Sequence, residues 1–253
     1  IIIIFGAHAF MDKEYVAKCV EKLRDGDICC VGGRIINISE NDKAEAISMA
    51  MSSPFGVGNA LFRYSESEEL VDTVAFGAYK REVFGRVGMF DEEFVRNQDD
   101  EFNFRVTESG GKILLCPDIV SYYYTMGSFG KLWRQYYQYG FWKVRVIQKH
   151  RRPASLRHLV PMLFVLSLIL GAALGFFSGI FRELLGILIL SYLIFSLLFS
   201  YKAAKGNHRY IFGVVLCYMI LHLSYGFGFI EGIFVFYISR NKRKIRENTK
   251  TSR

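Results

Sequence analysis

The chain has little proline and no paired cysteine motif. Only four prolines occur among 253 residues and 51% of the residues are hydrophobic, which excludes a disordered or collagen-like chain. The five cysteines are odd in number and form no C-x-x-C spacing. A disulfide framework or a zinc knuckle is therefore not expected, and reduced thiols are. The length suits one or two domains.

Acidic residues are nearly missing from the second half of the chain. Residues 143–253 hold 17 Lys and Arg residues against 3 acids, a net charge of +14. Residues 1–142 hold 15 against 21, a net charge of −6. The second half also contains the long apolar runs. This asymmetry predicts an acidic soluble head followed by a basic part that lies in a membrane.

Apolar runs without charge predict a region of two to three membrane-spanning helices at residues 158–238. A run of about 20 apolar residues crosses a hydrocarbon core of about 30 Å. Buried helices of a soluble protein are the alternative, and the basic segments around the runs disfavour it. The runs cover Leu159–Phe181, Leu184–Tyr201 and Tyr210–Ile230.

The cations around these runs predict an orientation. The segment before the first run and the loop 202–209 are basic, so both are expected in the cytoplasm with the head, at the inner membrane. Residues 239–253 form a basic tail with seven Lys or Arg residues, which three full crossings would place outside. Gly226, Gly228 and Glu231 interrupt the last run, so this run either crosses or turns back along the interface.

Residues 131–157, ahead of the first run, are predicted to form an amphipathic interface segment. The stretch Leu132–Lys143 mixes aromatic residues with Arg and Lys. This composition suits a helix in the headgroup layer, where aromatic side chains anchor and cations meet lipid phosphates. Base stacking with nucleic acid is the alternative. The neighbouring apolar runs favour membrane lipid as the partner and disfavour nucleic acid.

The head alternates strand and helix patterns, which predicts the α/β class. Ile1–Phe5 reads as a buried strand entered in mid-fold, so we expect the chain to be an N-terminally truncated piece of a longer protein. A helix at Lys13–Arg24, capped by Asp12, and a strand at Ile28–Val31 follow. The remaining predicted elements are helices at Lys43–Met51, Lys80–Val87 and Asn103–Ser109 and strands at Val71–Phe76 and Lys112–Cys116.

Three adjacent acids, Asp99, Asp100 and Glu101, form the densest chemical group of the head. Such a cluster needs water, a cation or a basic group nearby. One interpretation is a solvated helix N-terminus, where acids meet the helix dipole favourably. The other is a general base or a metal ligand at the rim of the sheet. His8, directly after a strand, is either a ligand contact or a structural histidine.

Four stretches of the head occur in a specific order: Ser52–Asn59, Val71–Gly77, Val87–Glu92 and Asn97–Asn103. Together they resemble family 2 glycosyltransferases, and in particular the membrane-anchored bacterial branch that builds exopolysaccharides such as succinoglycan. The resemblance implies the C-terminal part of a GT-A domain at residues 1–130, followed by the helical transmembrane region. It also implies inverting transfer from a nucleotide-sugar donor to a lipid-linked or polysaccharide acceptor.

The resemblance also implies roles for single residues. Asp99 lies where the family places its catalytic base, with Gln98 in place of the usual Glu, and Asp100 and Glu101 complete the candidate catalytic set. The stretch Gln135–Trp142 is similar to the family's glutamine- and aromatic-rich helix beside the active site. The candidate substrate-binding residues are Gly32, Gly33, Gly77, Arg105, Gln135 and Trp142; glycine lets backbone approach a sugar or phosphate closely.

The turn Gly6-Ala7-His8 falls where this branch usually has Asp-Ala-His, which binds a metal and the donor diphosphate. Gly6 removes the carboxylate, so His8 is the expected ligand for a divalent metal, Mn²⁺ or Mg²⁺. The family's uridine-binding strands precede the part matched here. Two hypotheses follow: a membrane-bound glycosyltransferase that is active within a full-length parent, or a non-catalytic membrane remnant or scaffold without the nucleotide-binding half.

Overall fold

The computed structural model describes residues 1–24, 26–153 and 155–249, and these fall into two compact units. The first unit comprises Ile1–Glu40 and Gly58–Thr125 and contains a mixed sheet. The second comprises Asn41–Val57 and the chain from Met126 onwards and is helical.

The first unit is built on a six-stranded mixed sheet, which confirms the α/β class. The strands follow the order β1-β5-β3-β6-β2, and β4 also pairs with β6. β3 and β6 run parallel and the other pairs are antiparallel. Parallel strands are usually buried on both faces, and β3 is buried over its first half. The strands are β1 Ile2–Ile3, β2 Ala9–Met11, β3 Ile28–Ile38, β4 Glu69–Val71, β5 Ala78–Tyr79 and β6 Lys112–Tyr124.

Three helices of the first unit cover the sheet: α1 Tyr15–Lys22, α4 Arg81–Val87 and α5 Gln98–Glu108. α1 packs through Tyr15 and Cys19, whereas Val16 is 49% exposed. Burial raises the pKa of the Cys19 thiol to about 12. All five cysteines are buried and free.

Several element boundaries predicted from the sequence are wrong. Only Ile2–Ile3 of the first apolar run forms a strand. The flanking residues Ile1 and Ile4 are exposed, because β1 lies at the edge of the sheet and pairs with β5 alone. The strand expected at Val71–Phe76 ends at Val71, since the chain leaves the sheet there and passes through Phe76 at φ 52°. The last head helix begins at Gln98 rather than at Asn103, because the three acids occupy its first turn.

β3 and β6 are both longer than expected because a bulge lets the pair continue. Gly33 lies opposite Cys116, whereas Arg34 lies opposite Val120, so residues 117–119 are extra on β6. Proline has no N–H for a strand ladder, and the bulge accommodates Pro117. A Cβ on Gly33 would lie 1.6 Å from the carbonyl oxygen of Ile119, so only glycine fits there.

The second unit contains seven helices in the described part of the chain. Asn41 caps α2, where its Oδ1 accepts the N–H of Ala44 at 2.9 Å. The segment 41–57 falls within the predicted head domain of residues 1–130, but it lies in this unit, because Ala46 and Ile47 pack against Tyr218 of α9. The helices are α2 Asp42–Met51, α3 Pro54–Val57, α6 Phe129–His150, α7 Val160–Gly175, α8 Gly179–Ala203, α9 Ile211–Ile233 and α10 Lys242–Glu247; a π-helical turn, Phe234–Ser239, follows α9.

Three helical stretches are long and apolar enough to cross a membrane, in agreement with the three predicted runs. They are Leu156–Gly175, Gly179–Ala203 and His208–Ser239. They differ in burial: 17% and 11% of the first two lie inside the protein, against 44% of the third. Large apolar side chains of α7 and α8, such as Leu170, Ile187 and Leu190, are exposed.

We expect Gly33→Ala to destabilise the protein by about 3 kcal/mol, the upper range for overpacking, because the new methyl group meets main-chain atoms that side-chain rotation cannot move. The melting temperature in detergent should fall by about 6–12 °C. Gly85→Ala is the control, since nothing lies within 4 Å of that Cβ position inside α4. An equal effect of both substitutions would contradict the close contact.

Candidate active site

The three acids begin helix α5, at the surface of the first unit. Asn97 precedes them in the left-handed conformation, with φ 61°, and its carbonyl accepts the N–H of Glu101 at 2.9 Å. Asparagine tolerates this conformation better than most residues. Phe102 is fully buried beneath the first turn and stacks on Phe90 at 4.3 Å. The first turn of α5 is therefore fixed to the core while part of its acidic face stays accessible.

Glu101 is the buried acid of the three, and its carboxylate pairs with Arg105. The side chain of Glu101 is 0% exposed, and Arg105 donates from Nε and Nη2 at 2.9–3.2 Å. Arg105 also donates to the carbonyl oxygens of Val87 and Met89. The family resemblance predicts a catalytic Glu101 and a substrate-binding Arg105; in the structure, Arg105 joins the buried Glu101 of α5 to the end of α4 and the residues that follow it. Their geometry makes them positioning residues.

Asp99 is exposed and Asp100 is half-buried, so these two acids face outward. Asp99 Oδ1 accepts the N–H of Asp100 at 2.9 Å, which orients its carboxylate at the helix N-terminus. The positive end of the helix dipole stabilises an ionised carboxylate there. An oriented, accessible and ionised carboxylate can take a proton from a hydroxyl group. Asp99 is oriented and accessible in this way.

A buried polar chain lies close to Asp99, and the sequence did not reveal it. Tyr79 donates to Asn103 Oδ1 at 2.9 Å, and Asn103 Nδ2 donates to Thr73 Oγ1 at 2.9 Å. Burial raises the pKa of Tyr79 well above its ordinary value, and the nearby Cys30 and Asp99 charges add to this. The phenol therefore stays protonated. The only sequence signal was that Thr73 and Asn103 lie within stretches that resemble the family.

The three glycines predicted to bind substrate all pack against other protein atoms. Besides Gly33, a Cβ on Gly32 would lie 2.6 Å from Cβ of Val74. A Cβ on Gly77 would lie 2.9 Å from both Cys30 Sγ and the Tyr79 hydroxyl. The space that these glycines leave is thus filled by the chain itself, and their lack of a side chain serves packing.

His8 lies exposed in the turn before β2, and its carbonyl oxygen accepts the N–H of Tyr124 at 3.2 Å. A Cβ on Gly6 would lie 3.0 Å from the Phe76 ring, which packs on Phe5. Residue 6 is exposed, and the ring borders the position where the resemblance implies a carboxylate. Among the described residues, no group of three or more His, Cys, Asp or Glu side chains could hold a metal ion.

Gln135 and Trp142, the other predicted substrate-binding residues, lie in the second unit on α6. Gln135 is 4% exposed and its Nε2 donates to the Tyr139 hydroxyl at 2.6 Å. Trp142 is 1% exposed and donates to the carbonyl oxygen of Asn248 at 3.1 Å. Phe141 is also buried, so Phe141 and Trp142 belong to a packing face of α6, whereas Trp133 is exposed.

No protein-family model matches the sequence. The chain is similar to a dolichyl N-acetyl-alpha-D-glucosaminyl phosphate 3-beta-D-2,3-diacetamido-2,3-dideoxy-beta-D-glucuronosyltransferase of Methanococcus voltae, with 35% identity over 153 residues. This match covers 58% of the chain and 47% of that enzyme. It is also similar to the succinoglycan biosynthesis protein ExoA of Rhizobium meliloti, with 28% identity over 163 residues, 64% of the chain and 49% of that protein.

These similarities confirm the resemblance to glycosyltransferases of glycan and exopolysaccharide synthesis. The chain spans about half the length of the curated relatives it matches. The mixed sheet followed by long apolar helices fits a GT-A domain joined to a helical membrane region.

We expect Arg105→Met to destabilise the protein by about 3–5 kcal/mol, because it leaves the buried Glu101 carboxylate without its cation. The double variant Glu101→Leu with Arg105→Met should recover most of this loss, since no charge then stays buried. Unfolding by denaturant in detergent measures both. Glu14→Gln, which removes the exposed i,i+4 pair with Lys18, should change the stability by at most about 0.5 kcal/mol. If the stability losses of the two single substitutions simply added up in the double variant, the ion pair between Glu101 and Arg105 would be contradicted.

Proposed function

We propose that the protein is a membrane-bound inverting glycosyltransferase that moves a sugar from a nucleotide-sugar donor to a lipid-linked or polysaccharide acceptor. The observation that carries this proposal is the placement of Asp99. It is the exposed, oriented carboxylate of the acid cluster, within a chain that is 35% identical over 153 residues to a glucuronosyltransferase.

Asp99 acts as the general base in this proposal. Its carboxylate accepts the proton of an acceptor hydroxyl while the hydroxyl oxygen attacks the anomeric carbon of the donor sugar. The bond from that carbon to the nucleotide diphosphate breaks in the same step, which inverts the configuration. The Glu101–Arg105 pair and the Tyr79–Asn103–Thr73 chain hold α5 in place under the base.

A lipid-linked acceptor is supported by the relative and by the apolar helices. The Methanococcus voltae enzyme is named for transfer to a dolichyl-linked N-acetylglucosaminyl phosphate. Such an acceptor stays in the membrane, so an enzyme that uses it benefits from membrane attachment. The positive-inside rule places the basic loop 202–209 in the cytoplasm, and we propose the same side for the catalytic unit at the inner membrane.

Asp99→Asn, made in the protein as the cell produces it, should lower kcat by roughly 10²–10⁴-fold, the usual contribution of a general base. The amide keeps the size of the side chain and loses its basicity, so donor affinity should stay similar. Release of the nucleotide diphosphate from candidate donor sugars measures the rate.

Glu108→Gln is the matched control, because it removes an exposed acid at the other end of α5. Asp100→Asn should have a milder effect than Asp99→Asn. Wild-type turnover in Asp99→Asn together with loss in Asp100→Asn would move the base by one residue. No turnover in any version, at unchanged fold, would favour the scaffold hypothesis.

A divalent metal, Mn²⁺ or Mg²⁺, stays a prediction of the family resemblance. Gly6→Asp would restore the missing carboxylate, but the Phe76 ring would have to move. We expect Gly6→Asp combined with Phe76→Leu to bind Mn²⁺ more tightly than the unmodified protein, since hard cations prefer carboxylate oxygens. Titration of Mn²⁺ by electron paramagnetic resonance measures this binding. Gly6→Asn with Phe76→Leu is the uncharged control, and equal affinity in both would place residue 6 outside any metal site.

A further inference from the structure

The third apolar stretch is held differently from the other two. α9 is packed along α6, and the two helices run in the same direction. Leu132 shares a core cluster with Leu221, and Gln148 near the end of α6 donates to the carbonyl oxygen of Phe236 at 3.1 Å. The contact therefore extends along most of α6 and the second half of α9.

Glycines bring the backbones of α6 and α9 together. A Cβ on Gly140 would lie 2.1 Å from the carbonyl oxygen of Tyr225, and a Cβ on Gly228 would lie 2.0 Å from that of Tyr137. A Cβ on Gly232 would lie 2.8 Å from the carbonyl oxygen of Phe141. Such contacts at successive turns leave no room for lipid between the helices.

Two of the helices that α9 packs against, α6 and α2, carry charge; its other neighbours are the apolar helices α7 and α8. α6 contains five Lys or Arg residues, at positions 131, 134, 143, 145 and 149. At the start of α9, Arg209 and Tyr210 bind the carboxylate of Asp42 on α2. If α9 crossed the hydrocarbon core, cations of α6 would have to enter it too. Charged side chains in hydrocarbon are costly and rare.

The chain after α9 folds back onto the same two helices. Arg240 takes a left-handed conformation, and α10 returns so that Lys244 pairs with Glu231 of α9. Glu231 also accepts the Tyr137 hydroxyl of α6 at 2.5 Å. Trp142 of α6 donates to Asn248 just beyond α10. The basic α10 is thus fixed beside the middle of α6, which again excludes this region from the hydrocarbon core.

α7 and α8 have the opposite character. They form an antiparallel pair, with Gly171 against Leu185 and Gly175 against Arg182. The connecting residues Phe176 and Phe177 are 87% and 89% exposed. Their outward surfaces are apolar and unpaired with protein among the described residues, over a length that matches a bilayer.

We propose that only the α7–α8 hairpin crosses the bilayer, and that α9 lies with α6 and α10 on the side from which the hairpin enters. The hairpin surface takes lipid hydrocarbon as its partner. This arrangement puts the described parts of the three basic segments, 143–153 with 155–157, 202–209 and 239–249, on one side of the bilayer. At the far end of the hairpin the charged residues are Arg182 and Glu183. The positive-inside rule is then satisfied, whereas three crossings would violate it.

Cysteine labelling of the full chain in its native membrane tests this topology. Phe177→Cys marks the hairpin tip, Asn207→Cys the loop before α9, and Thr249→Cys the segment after α10. A membrane-impermeant maleimide is applied to intact spheroplasts and to inverted vesicles. We expect Phe177→Cys to react only from outside, and Asn207→Cys and Thr249→Cys to react only from inside, each with at least a tenfold preference.

The unsubstituted chain is the control for background, since its five cysteines are buried. Labelling after denaturation confirms that each variant is present. Reaction of Thr249→Cys from outside, with Asn207→Cys inside, would show that α9 crosses and would overturn the proposal. Reaction of Phe177→Cys from inside would show that the hairpin does not cross and would overturn it as well.

Discussion

The parallel pairing of β3 with β6 is the constraint on which the first unit depends. The pair continues past Pro117 only because a three-residue bulge forms, and the bulge fits only because Gly33 has no side chain. Both faces of this pair are covered, on one side by α1 and on the other by the core beneath α5. The helix that carries the acid cluster is thereby fixed to a packed core. A group proposed to be catalytic needs such support to keep its geometry.

Adjacent residues of the acid cluster have different roles because a helix turns by about 100° per residue. Glu101 points into the protein, where Arg105 neutralises it, and Asp99 points outward at the helix N-terminus. Repulsion among the three acids is thus reduced in two ways, by an ion pair and by solvent. This division of roles supports a single base more than a group of interchangeable acids.

The second unit depends on close contacts between α6 and α9 at glycine residues, as the first unit depends on the pairing of β3 with β6. They place the aromatic face of α6 inside the protein and fix the basic α10 through Glu231. A helix can therefore be apolar enough to cross a membrane and still be retained by a charged neighbour. Apolar length is a necessary property of a spanning helix, and the partner along its side decides whether the helix spans.

The amino-acid sequence by itself determined the α/β class, the three apolar runs, the family resemblance and the acid cluster, because periodicity, charge and motif order are local properties. Only the tertiary structure decided that Glu101 is paired and buried, that Gly32, Gly33 and Gly77 pack against the chain, and that Tyr79 joins Asn103 and Thr73. It also decided that Trp142 is buried and donates to the carbonyl oxygen of Asn248. These contacts join residues far apart in the chain, and no local pattern records which distant atoms will occupy the space beside a side chain.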